Sequence, residues 1–100
     1  MVLTNKQIYT YLINKFGKKE QITVAIEELS ELQKELCKYL RYFGKIDVEH
    51  ISEEMADVEI MLEQLKVMLN NSVDVEYRKK EKIQRTVKRY IEKDEQSIKK

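Results

Sequence analysis

Proline and tryptophan are absent from this 100-residue chain, glycine occurs twice, and there is one cysteine and one histidine. Without Pro and with little Gly, few positions force the backbone out of a helix, which excludes a turn-rich β architecture. Cys37 alone permits no intrachain disulfide and no Cys-x-x-Cys pair, so a reducing compartment is expected. It follows Leu36 beside an apolar stripe and reads as an inert small hydrophobe. No apolar run approaches the ~20 residues of a membrane span. The opening MVLTNKQ lacks the apolar core of a signal peptide, so a cytoplasmic location is expected. Net charge is only +1, which excludes a polycation that binds nucleic acid by bulk charge.

What is present is helix-forming. Leu, Ile, Glu, Lys and Gln abound, charged residues make up 37% and hydrophobic ones 42%. One all-α domain spanning residues 1–100 is expected, with four helices. Thr4-x-x-Gln7 is a capping box that opens the first, whose apolar face is Ile8, Tyr11, Leu12 and Phe16, with Gly17 as its C-cap. The second runs from about residue 21 to 43, with a stripe of Ile22, Ile26, Leu29, Leu36, Leu40 and Phe43, and Gly44 ends it. Asp47 N-caps the third, which carries Ile51, Met55, Val58, Leu62, Leu65 and Leu69 until Asn70-Asn71-Ser72 breaks it. A fourth spans roughly residues 74–94, with Tyr77, Ile83, Val87, Tyr90 and Ile91 as a thinner apolar set, and the last residues fray. The short Gly44–Ile46 connection makes helices two and three an antiparallel hairpin.

Charge is unevenly spread. From Glu27 to Glu63 there are eleven acids against four bases, and from Glu76 to Lys100 ten bases against five acids. The acidic stretch contains two short runs, Glu27-Glu28-x-x-Glu31 and Glu53-Glu54-x-x-Asp57. Residues three apart are neighbours on a helix, so Glu28 lies beside Glu31 and Glu54 beside Asp57. Like charges repel there, and two such pairs on neighbouring helices suggest a hard cation with oxygen ligands. At about 100° per residue, with Ile51 at zero, Glu54 falls at about 300°, inside the apolar arc, and Glu53 at about 200°, pointing away. A carboxylate on a core-facing wall is costly unless paired or ligating. No Lys or Arg lies within four residues of Glu54 or Asp57.

With Ile22 at zero, Glu28 edges its stripe at about 240° and Glu31 sits well round at about 180°. Val24, Tyr39 and Tyr42 border these acids, a second apolar face that suits a partner subunit. Lys34 and Lys38, three and seven residues after Glu31, offer neutralisation instead. On spacing alone, a cation site and a solvated charged face both stand.

The segments Gln21-Ile22, Ala25-Ile26-Glu27-Glu28-Leu29-Ser30-Glu31-Leu32 and Glu53-Glu54-Met55-Ala56-Asp57-Val58-Glu59-Ile60-Met61-Leu62 resemble the MazG-like nucleoside triphosphate pyrophosphohydrolases, whose signature is ExxE, a spacer, then ExxD. The resemblance covers roughly residues 14–90, from Lys15-Phe16-Gly17 to the basic fourth helix. It implies helical modules that dimerise or form dimers of dimers, with the site built by paired subunits. It implies Glu28, Glu31, Glu54 and Asp57 as ligands of Mg²⁺, or of Mn²⁺ in its place. It implies cleavage of a nucleoside triphosphate between the α- and β-phosphates, giving the monophosphate and pyrophosphate. The rival within the same fold is a non-catalytic nucleotide-sensing or protein-interaction module.

Lys79, Lys82, Arg85 and Arg89 stripe the fourth helix. They form either a solvated face balanced by Glu81 and Glu92 or a set in which Lys82 and Arg85 meet phosphates. A nucleic-acid stripe is disfavoured, since only Tyr77 and Tyr90 interleave it. Gln21, Lys15 and Lys18 fall where the resemblance places nucleotide contacts. Glu27 or Glu53 could assist from behind the ligands. His50 reads as a surface residue, and Met55, Met61 and Met68 as core filler.

Overall fold

The computed structural model describes residues 1–43, 45 and 47–93, and among these every regular element is helical. In chain order they are α1 (Asn5–Phe16), α2 (Lys18–Arg41), α3 (Glu49–Leu69) and α4 (Ser72–Thr86), the last followed by a π-helical turn over Val87–Ile91. Two compact units result, Met1–Asn70 with α1 to α3 and Asn71–Lys100 with α4 and the π turn. No described helix is long and apolar enough to cross a membrane.

Local chemistry sets most of the boundaries. The Thr4 hydroxyl accepts from the Gln7 backbone N–H and the Gln7 side chain accepts from the Thr4 N–H, which completes the expected capping box. Gly17 closes α1 and leads directly into α2 with φ 91° and ψ 154°, a conformation a side chain would strain. Helix α2 therefore starts at Lys18, three residues earlier than periodicity suggests, and ends at Arg41. The Gly44 stop and the connection through Ile46 lie outside the described residues. Val48 is the N-cap of α3, while the Asp47 carboxylate accepts from the Glu49 N–H one step on, so Asp47 still satisfies an orphan donor. Asn70 ends α3 in the left-handed region (φ 52°), as an Asn can. Helix α4 starts at Ser72, two residues early. Its expected end at Asp94 and the fraying terminus lie outside the described residues.

Helices α1, α2 and α3 pack against one another, with the largest shared surface between α2 and α3. Their core is Tyr9, Ile13, Ala25, Ile51, Val58 and Met61, joined by the buried amides of Gln21 and Gln64. The Tyr9 hydroxyl donates to Glu63 Oε2 at 2.7 Å and ties α1 to α3. That bond, then burial and the Glu63 charge, push the Tyr9 pKa up.

The α2 face is the principal correction. The stripe expected to be core is open: Ile22, Ile26, Leu29, Leu36 and Leu40 are all exposed, Ile26 at 59% and Leu40 at 74%. The inward face is the neighbouring one, with Gln21 and Ala25 buried and Val24, Glu28, Leu32, Glu35 and Tyr39 half-buried. Part of the face that suits a partner subunit on sequence grounds thus belongs to the internal contact. Small Ala25 and the hydrogen bond from Gln64 to Gln21 let α2 and α3 approach closely along this less apolar face. On α1 the inward residues are Tyr9 and Ile13, with Leu12 half-buried and Ile8, Tyr11 and Phe16 exposed. On α3, Ile51 and Val58 are buried as expected, but Met55, Leu62 and Leu69 are exposed, and Gln64 is buried in their stead. Cys37 is exposed and free rather than packed.

These open stripes share a side. Each is reached by turning about 100° in the direction of increasing residue number from the line of α2–α3 contact. In antiparallel helices that rotation leads to the same side of the pair. Met55, Leu62 and Leu69 therefore extend the α2 stripe into one apolar face. In the second unit no described residue is buried, and few are even half-covered, Val75 and Val87 among them.

Candidate metal centre

Two pairings fix how α2 and α3 meet. Gln64 Nε2 donates to Gln21 Oε1 at 2.6 Å, and Glu28 lies against Asp57, close enough to share a hydrogen bond. From the first pair to the second, α2 advances seven residues and α3 retreats seven. The two helices are therefore antiparallel, and the same register carries Glu54 level with Glu31 on α2.

Three of the four expected acids converge. Ligand oxygens of Glu28, Glu54 and Asp57 all lie within 4.8 Å of one another, with Glu28 and Glu54 half-buried and Asp57 exposed. Glu31 is exposed and outside that trio, on the flank of α2 turned away from the apolar face. Its charge still acts on both Glu28 and Glu54.

The electrostatics are those of crowded carboxylates. Burial raises the Glu28 pKa above its ordinary value, helped by the charges of Asp57 and Glu54, the hydrogen bond with Asp57 and the charge of Glu31. Burial also leads at Glu54, followed by the charges of Asp57, Glu31, Glu35 and Glu53. Both carboxyls thus hold protons more readily than free ones, and a cation that neutralised them would reverse the cost.

The other expected residues fall as follows. Glu53 is exposed and directed outward, 3.9 Å from Nδ1 of the exposed His50. Glu27, Lys15 and Lys18 are exposed. Gln21 is buried with its side-chain oxygen taken by Gln64, so it serves the α2–α3 contact. Met61 is core, Met68 half-buried and Met55 exposed. Lys82 and Arg85 are exposed on α4, where Arg78 pairs with Asp74 and Lys79 with Glu76.

Sequence reasoning missed Gln64, at 1% exposure the most buried large side chain described, and Glu35, which faces Glu54 with 15% of its side chain exposed. A usable signal was present. Gln21 precedes Glu28 by the interval at which Gln64 follows Asp57, and Glu35 stands at the same interval beyond Glu28.

Comparison with protein-family models, characterised proteins and solved structures found no match.

Proposed function

We propose that this chain is a MazG-like, Mg²⁺-dependent nucleoside triphosphate pyrophosphohydrolase that works as a homo-oligomer. The observation that carries the reading is the convergence, from two antiparallel helices, of Glu28, Glu54 and Asp57, three of the four acids that the ExxE…ExxD resemblance implies. Three oxygen ligands without imidazole or thiolate suit a hard divalent cation that keeps waters and takes phosphate oxygens. Glu31, three residues from Glu28 on α2, is the fourth acid that the resemblance assigns to the set. Bound there, Mg²⁺ would neutralise phosphate charge and acidify water. The residues themselves orient the cation and fix where a polyphosphate meets it. Water adds across the α–β anhydride, and the products are nucleoside monophosphate and pyrophosphate. Lys82 and Arg85 remain candidates for phosphate binding on the sequence argument alone.

The open face of α2 and α3 supports assembly. Eight large apolar side chains lie on it, from Ile22, Ile26, Leu29, Leu36 and Leu40 to Met55, Leu62 and Leu69. A contiguous set of exposed large apolar side chains of this kind marks an interaction surface. A second copy would cover it, and the carboxylates stay accessible because Glu31 and Asp57 lie on the other side. The test is pyrophosphate release from each (d)NTP with Mg²⁺. Turnover that Glu54→Gln and Asp57→Asn abolish supports the reading. No release from any substrate, or release indifferent to both substitutions, contradicts it.

A further inference from the structure

Beyond the acidic trio, the inward side of α2 carries one more charged pair. Lys38 Nζ lies 3.3 Å from Glu35 Oε1, and the Glu35 side chain is only 15% exposed. Of the four bases between Glu27 and Glu63, Lys34, Arg41 and Lys45 are exposed, whereas Lys38 is half-buried, with 43% of its side chain open.

Placement gives this pair its meaning. Glu28, Glu31 and Glu35 follow the i, i+3, i+7 stripe of α2, so Glu35 is the next rung beyond the carboxylates that face Glu54. Lys38 sits at about 160° on α2 when Ile22 is at zero, close to Glu31 at about 180° and opposite the apolar stripe. It is therefore on the flank where the acidic site opens, clear of the face assigned to a second copy. Helical side chains lean toward the N-terminus, and the bond to Glu35 holds the ammonium in that direction, toward the acids. A salt bridge of this kind on a helix surface adds little stability. Here it ties Lys38 to Glu35, whose charge acts on Glu54, and so keeps a cation on the carboxylate side of α2.

We propose that Lys38, positioned by Glu35, is a phosphate-binding residue that meets the polyphosphate of the ligand held at Glu28, Glu54 and Asp57; this rests on the reading of that site as a metal–triphosphate centre. A triphosphate carries more negative charge than one divalent ion cancels, and Lys38 supplies a protein cation within the α1–α3 unit. Glu35 holds the Lys38 ammonium and acts on the ligand through it.

The test uses the full chain and inorganic triphosphate with Mn²⁺ in excess, with calorimetry for binding and Mn²⁺ EPR for the metal alone. Lys38→Met weakens triphosphate binding about tenfold, the low end for a charge-assisted hydrogen bond, and leaves Mn²⁺ affinity equal or tighter. Lys38→Arg retains most of the binding, and Glu35→Gln loses about threefold because the ammonium is no longer aimed. In turnover, Lys38→Met raises KM for the nucleotide about tenfold with kcat within about twofold. Lys34→Met, the same charge change on an exposed residue of the same helix, leaves all of these unchanged. Equal triphosphate affinity for Lys38→Met and wild type at full Mn²⁺ occupancy overturns the proposal while the metal site stands. A wild-type chain that binds neither Mn²⁺ nor triphosphate overturns both together.

Discussion

The side-chain amide of Gln64 donates to that of Gln21 at 2.6 Å inside the α2–α3 contact, and the register this sets brings Glu28 to Asp57 two turns away. A buried polar pair aligns two helices because any slip leaves both amides unsatisfied. Gln64→Ala leaves the Gln21 amide unpaired beside a void, and we expect it to cost about 2–4 kcal/mol in urea unfolding. The double change Gln21→Leu/Gln64→Leu removes both polar partners and recovers most of that loss. A single variant as stable as wild type would show that the pair does not set the contact.

Crowding of the carboxylates makes stability depend on pH. Glu28 and Glu54 have folded pKa values above the ordinary carboxylate value. Their contribution is therefore fully present below the unfolded pKa and is lost as pH rises through the folded one. The metal-free Tm of wild type relative to Glu28→Gln/Glu54→Gln should fall as pH rises from the ordinary carboxylate range toward neutrality. Stabilisation by Mg²⁺ should grow over that interval, since protons compete with the cation for the same oxygens. A wild-type-minus-variant difference flat in pH would contradict the crowding.

The open apolar face should hold the oligomer together. Leu29→Lys with Leu40→Glu places two charges on exposed positions and leaves the α1–α3 core untouched. Sedimentation should show monomers where wild type shows dimers or tetramers, with helical content within about a tenth of wild type. Unchanged assembly would move the interface elsewhere.

Tyr9→Phe removes the hydroxyl that ties α1 to Glu63. A hydrogen bond to a charged acceptor contributes about 1.5–3 kcal/mol, and exposure of Glu63 puts the expected loss near the low end. Chemical denaturation checks it.

How far the fold was legible in the sequence differs from helix to helix. The capping box at Thr4, the glycine between α1 and α2 and the Asn70 stop were readable because each satisfies a local backbone need. Glu54 was readable because its angle on α3 put a charge inside an apolar arc, and it is half-buried beside Asp57. The inward face of α2 was not readable. Periodicity locates an apolar stripe but does not say whether it meets the same chain or a neighbour. Here the more apolar stripe stays open, and the internal contact runs through Ala25, Gln21, Glu28 and Glu35. Gln64 escaped notice because a polar residue opposite another polar residue leaves no mark in hydropathy.

Titration with Mn²⁺, followed by EPR, tests the central claim most directly, that Glu28, Glu54 and Asp57 form a divalent-cation site able to present a triphosphate. The account predicts saturable binding, weakened at least about tenfold in Glu54→Gln and in Asp57→Asn, with inorganic triphosphate altering the bound-ion spectrum of wild type. Free-ion signal at every concentration, or equal binding by wild type and both variants, would contradict it.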